Sequence, residues 1–266
     1  MKSISKAMVL AAAVAVAILG GALVSFSQTQ LAMAGKDKQK ESEIPLEESK
    51  LIIENNAKDG DTGFQGFIDS EEGWKRITVT DPNGKKVLDL RGDGKLGQLG
   101  LTELFFETAE PENADVPISD LLKTMPEGNY EFKGSTAKTA EEQGTLVGTA
   151  FLSHDIPEDP QILSPDEDAE VPENENLLVS WSPVEKNIDG SDATIIAYQL
   201  IVEKDQEPDP HMIGTFGLSM YLPASVTEMT IPEEFLEPGT DYSIEVLAIE
   251  ENGNQSINST SFSTTD

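Results

Sequence analysis

From about residue 50 onward, short apolar runs alternate with turn-forming residues, and no stretch shows apolar residues returning every three or four positions over a helix length. Leu51-Ile52-Ile53, Phe64 to Ile68, Ile77-Thr78-Val79, Val87 to Leu90, Leu104-Phe105-Phe106, Tyr130 to Phe132 and Leu146 to Leu152 are candidate strands of a first module. Their number is that of a β-sandwich. Asp81-Pro82-Asn83-Gly84 joins two of them: the proline fixes one φ and Asn-Gly tolerates positive φ, so the chain reverses between Arg76 and Leu90. Pro126-Glu127-Gly128-Asn129 is a second such turn. Ser119-Asp120-Leu121-Leu122 places a capping serine before apolar residues and predicts one short helix.

The same alternation continues in the last hundred residues. Tyr198, Leu200 and Val202 share one face of a predicted strand, and Tyr242, Ile244, Val246 and Ala248 share one face of another, opposite Ser243 and Glu245. Gly253-Asn254 gives a tight reversal before the strand that carries Phe262. The expected fold class is therefore all-β, two consecutive sandwiches occupying residues 50–156 and 160–266.

Three sequence stretches give the second module a family resemblance: Leu177-Leu178-Val179-Ser180-Trp181-Ser182-Pro183, Tyr198 to Glu203, and Leu236-Glu237-Pro238-Gly239-Thr240-Asp241-Tyr242. Residues 160–266 resemble a fibronectin type III domain. The resemblance implies that Trp181, Tyr198, Leu236 and Tyr242 are structural core residues, and that the tyrosine hydroxyl of the last stretch bonds back to the main chain. The segment from Asp205 to Val226, with Pro208, Pro210 and Pro223, departs from the family pattern. The first module resembles immunoglobulin-like modules only through Pro126 to Tyr130, and no topology is carried over from that.

The ends and joints have their own composition. Lys2 and Lys6, the uncharged run Ala7 to Val24 and the small residues Ala32-Met33-Ala34 predict a signal peptide over residues 1–34, with export to the periplasm or the exterior. A retained membrane anchor is the alternative; the alanine-rich run, broken by Gly20 and Gly21, favours cleavage and a mature chain without a membrane span. Residues 35–49 are charged and read as a flexible tether. Residues 157–176 read as an acidic, proline-rich linker that also holds the first edge strand of the second module. Asp166, Glu167, Asp168, Glu170, Glu173 and Glu175 repel one another there, so the modules are expected to stand apart.

Composition narrows the chemistry. With 49 acidic and 18 basic residues the formal net charge is −31, which disfavours a nucleic-acid partner bound through its phosphates. No cysteine is present and the only histidines are His154 and His211, so thiolate nucleophiles and four-ligand His/Cys zinc sites are excluded and a catalytic triad is not expected. Asp59-Gly60-Asp61-Thr62-Gly63 opens like an EF-hand loop but has Phe64 where glycine is needed and Ser70 where a bidentate glutamate is needed. Asp59 and Asp61 remain as candidate calcium ligands; no other cofactor is expected. Arg91-Gly92-Asp93 spells an integrin-recognition tripeptide, and Asn254-Gln255-Ser256 and Asn258-Ser259-Thr260 fit a glycosylation pattern. Trp74 is the one tryptophan left for a carbohydrate platform once Trp181 is placed in the core. The expectation is a non-catalytic protein-binding or spacer protein whose partner is an envelope or extracellular protein, with a calcium- or carbohydrate-binding accessory protein as the alternative.

Overall fold

The structure, a computed structural model, describes residues 42–266, so the expected signal peptide and residues 35–41 of the tether lie outside the described residues. The first module comprises β1 (Glu43–Pro45), β2 (Glu48–Asn56), β3 (Asp61–Thr80), β4 (Lys86–Arg91), α1 (Gly94–Leu99), β5 (Leu101–Glu107), α2 (Ile118–Thr124), β6 (Gly128–Thr136) and β7 (Thr145–Leu152). The second comprises β8 (Ile162–Ser164), β9 (Ala169–Val171), β10 (Leu177–Trp181), β11 (Ile195–Lys204), β12 (Gly217–Pro223), β13 (Glu228–Ile231), β14 (Asp241–Glu250) and β15 (Gln255–Thr264). The chain is all-β, as the alternation predicts.

In the first module the expected strands at Phe64–Ile68 and Ile77–Val79 are one strand of 20 residues, β3. Its first half pairs with β2 and β5, and its second half with β4 and β6, so it belongs to both layers of the sandwich. The bend falls between Asp69 and Trp74, where Gly73 adopts φ 70°. Nothing in that stretch is a proline or an Asn-Gly pair, so the chain turns the corner without leaving the sheet. Ile68 and Trp74 flank the bend and are both buried in the same core, with Ile77, Tyr130, Phe132, Leu146 and Leu152. Gly84 supplies φ 74° in the predicted β3–β4 turn. The short helix begins one residue earlier than its expected cap: Pro117 precedes α2, and Ser119 lies inside it without capping.

The second module packs β8, β10 and β13 as one sheet against β12, β11, β14 and β15. That three-on-four arrangement is a fibronectin type III-like sandwich. Trp181 meets Tyr198 edge-on at 5.6 Å, and Tyr242 stacks on Phe262 at 5.0 Å. Tyr242 Oη accepts from Glu237 N at 2.8 Å and donates to Phe235 O at 3.3 Å, closing the corner. The first module contains a parallel device: Tyr130 Oη donates to Pro126 O at 2.9 Å.

Two expectations are corrected. Part of the tether is structured: Ile44, in β1, packs on the first core, β1 runs parallel to β7, and Leu46 is buried. The apolar residues alternating within that charged stretch are what anchor it. The modules also do not stand apart. β15 pairs in parallel with β2, which makes one sheet continuous through both sandwiches. The acidic linker lies along the second module rather than spanning a gap, because its acids find donors: Ser261 Oγ donates to Asp168 Oδ1 at 2.6 Å, Asn258 Nδ2 to Asp159 Oδ2 at 2.7 Å, and Lys58 pairs with Glu167.

Candidate functional site at the module junction

The junction is built from the tight turn between β14 and β15. Gly253 at φ 94° lets the chain reverse, and Asn254 then points into the seam with 1 % of its surface exposed. Its Oδ1 accepts from Ile53 N at 2.8 Å, and its Nδ2 donates to Ser153 O at 3.0 Å and Asp155 O at 2.7 Å. One side chain thus replaces main-chain partners on β2 and on the segment after β7. Next to it, Ser256 Oγ donates to Pro157 O at 2.5 Å and accepts from Asn55 Nδ2 at 3.3 Å, and Ala57 N donates to Ile257 O at 3.0 Å.

One residue further along, the opposite face of the sheet carries carboxylates. Glu54 of β2, Glu107 of β5 and Glu110 just beyond β5 offer oxygens that all lie within 4.8 Å of one another. Gln255, opposite Glu54 in the ladder, donates through Nε2 to Glu54 Oε2 and to Gln65 Oε1, and Gln65 Nε2 donates to Glu107 Oε1 at 2.8 Å. Glycine makes room for this group, since a Cβ on Gly63 would stand 2.7 Å from Glu110 Cγ. Glu110 Oε1 and Asp61 Oδ1 are buried without a hydrogen-bond partner among the described residues.

Such crowding favours proton uptake. Burial first, and the Glu107 charge after it, push Glu54 up to about 7 against the pull of the two glutamines. Burial, followed by the charges of Glu107 and Glu54, raises Glu110 to about 8. Glu245 on β14 is raised to about 7 by burial and then by Glu203. Asp61 is raised by burial and by Asp59. The group therefore holds protons near neutrality, and its hard oxygens are also of the kind that Ca²⁺ takes.

Of the residues singled out in the sequence, Asp61 lies close enough to this group for its charge to raise Glu110. Asp59 accepts from Asn56 Nδ2 at 3.1 Å in the β2–β3 turn. Trp181, Tyr198, Leu236 and Tyr242 are buried in the second core. Trp74 is 1 % exposed and presents no platform. His154 and His211 are not brought together: the first has its Nε2 2.9 Å from Met125 O, and the second is exposed in the β11–β12 connection. Gly92 of the Arg-Gly-Asp stretch is buried, its N–H bonded to Lys75 O at 2.8 Å. Asn254, read as a glycosylation acceptor, has its amide nitrogen committed inside the seam. Glu54, Glu107 and Glu110 carried no sequence signal beyond an acid inside an apolar strand and glycines in its partner.

No protein-family model matches the chain, and no curated protein does. Among solved structures it is similar to the FN1–FN3 domains of chicken CNTN1, at 11 % identity over 85 % of this chain and 67 % of that one, TM-score 0.31. It is similar to the fibronectin(III)-like modules of Clostridium thermocellum CbhA, at 12 % identity over 81 % and 94 %, TM-score 0.30. A two-domain fibronectin type III segment of chicken tenascin aligns at 12 % identity over 82 % and 99 %, TM-score 0.28.

Proposed function

We propose that this chain is an exported, non-catalytic protein that binds a partner, or spaces one from another, at the cell envelope or outside the cell. The observation that carries the reading is the continuous sheet through β15 and β2, held by Asn254: two sandwiches in one fixed orientation offer separated loop ends and edges as a rigid unit. The distribution of chemistry supports it. The hollow beside the Asp81–Gly84 turn, about 600 Å³, is lined by threonines, Asn129 and Glu131, and Asp81 there caps its own turn through Asn83 N and Lys85 N.

Two measurements test the reading. Spin labels introduced at exposed Lys85 and Glu234 should give one narrow interlabel distance, and affinity capture on the mature chain should recover a specific envelope or extracellular protein. A broad distance distribution would sink the rigid spacer; repeated empty captures would sink the binder. A second reading, a calcium-binding accessory protein of an extracellular matrix or hydrolase system, draws on the three-glutamate group. A calcium-dependent rise of several degrees in melting temperature, abolished by chelator and by Glu107→Gln, would favour it over the first. The carbohydrate version loses its support with the burial of Trp74.

A further inference from the structure

Seven residues of β12, Gly217 to Pro223, form one end of the sheet that runs through both modules. Among the described residues β12 pairs only with β11. Lys204 N donates to Phe216 O at 3.0 Å, so by antiparallel alternation Leu218, Met220 and Leu222 turn their main-chain groups toward β11. The N–H and C=O groups of Gly217, Ser219 and Tyr221 therefore point outward, and among the described residues no partner is recorded for them.

Free edges are normally blunted by charge, proline or brevity, and the rest of this protein follows that rule. At the other end of the sheet β1 is three residues long and contains Glu43 and Pro45. Free-edge strands β4, β5, β9 and β13 each hold a charged residue, and β8 is three residues long between Pro160 and Pro165. β12 has no charge at all in a chain that is 25 % charged, and its one proline, Pro223, stands at its last position and leaves Gly217 to Leu222 unblunted. Tyr221 is 64 % exposed, Ser219 is exposed and accepts from Gln199 Nε2 at 2.9 Å, and the connection leading into the strand presents the apolar Met212, Ile213 and Phe216.

We propose that the edge of β12 docks an extended segment of a partner protein as an added strand, its central residues uncharged and β-forming and its flanks bearing lysine or arginine. This deepens the binding reading above and rests on it. The uncharged strand selects the middle of the segment, where main-chain hydrogen bonds supply affinity and alternate side chains supply fit. Basic flanks follow from charge: Glu203 pairs with Gly217, Asp205 and Glu207 follow in the exposed connection, and the one cation there, Lys204, is engaged by Glu237. A second copy of this chain would instead bring another −31 to the same edge.

The test uses the isotopically labelled full-length mature protein and two synthetic peptides of alternating Thr and Val, one flanked by lysines and the other by glutamates. The lysine-flanked peptide should bind saturably and shift the amides of Gly217, Ser219 and Tyr221, and the glutamate-flanked one should not. Ser219→Pro removes an outward N–H without breaking the ladder to β11, and should weaken binding at least about tenfold, while Ser219→Ala retains it. If the proline variant melts early, Tyr221→Lys, which sets a cation against the peptide's own, should show the same loss. Absence of saturable shifts, equal binding by the proline and lysine variants, equal binding of both peptides, or dimerisation through these same amides would each overturn the proposal. A peptide failure alongside successful capture of a partner would refute the edge and leave the binding reading standing.

Discussion

Replacing Asn254 with alanine removes three hydrogen bonds across the seam at once, those with Ile53 N, Ser153 O and Asp155 O. They are not equivalent. Asp155 O keeps a second donor in Asn252 Nδ2 at 3.0 Å, whereas the Ile53 N–H loses its acceptor and Ser153 O its donor in a region closed to solvent. Each buried main-chain group left without a partner costs about 1–3 kcal/mol, so Asn254→Ala should destabilise the protein by ~3 kcal/mol. For a chain of this length that corresponds to a fall in melting temperature of roughly 6–12 °C. Asn254→Asp separates geometry from chemistry: it keeps an acceptor for Ile53 N but turns a carboxylate oxygen toward two carbonyls, so it should be at least as damaging as alanine. Thermal and urea unfolding of the three proteins, followed by circular dichroism, measures this. A loss below about 1 kcal/mol for alanine, or an aspartate variant as stable as the parent, would refute the reasoning.

Stability should also depend on pH in an unusual direction for carboxylates. Glu54 and Glu110 are raised from an ordinary 4.5 to about 7 and about 8, so the folded chain binds more protons than the unfolded one between these values. Their contribution is fully present below pH 4.5 and is lost as pH rises through about 8, and Glu54→Gln should flatten that slope in a series of melting curves. Gly63→Val puts a side chain where Glu110 Cγ lies and should weaken the same slope by displacing Glu110 from the group. Tyr242→Phe removes two hydrogen bonds, with Glu237 N and Phe235 O, and should cost about 1–2 kcal/mol in urea unfolding, more than Tyr130→Phe, which removes the one with Pro126 O.

Much of each sandwich is legible in the sequence because its cause is local. Tyr242, Ile244, Val246 and Ala248 declare a strand with one buried face through their spacing alone, and the Asp81–Gly84 turn declares a reversal through the φ angles its residues accept. The family-like stretch from Leu236 to Tyr242 announces its corner for the same reason: Tyr242 Oη bonds to residues five and seven positions back. Charge is equally local, but it misleads where partners matter. The acids of residues 157–176 suggest an extended spacer until Ser261, Asn258 and Lys58 are seen to take them up.

What only the tertiary structure decides is where free edges and buried polar groups meet. Glu54 and Gln255 are 201 positions apart, and no periodicity in either strand says that β2 and β15 become neighbours. Period-two patterning specifies which face of a strand is buried; it does not specify which strand lies beside it, because main-chain donors and acceptors are the same at every edge. The glutamate group, the seam around Asn254 and the open edge at β12 all follow from that choice of neighbours, and it is made when the whole sheet assembles.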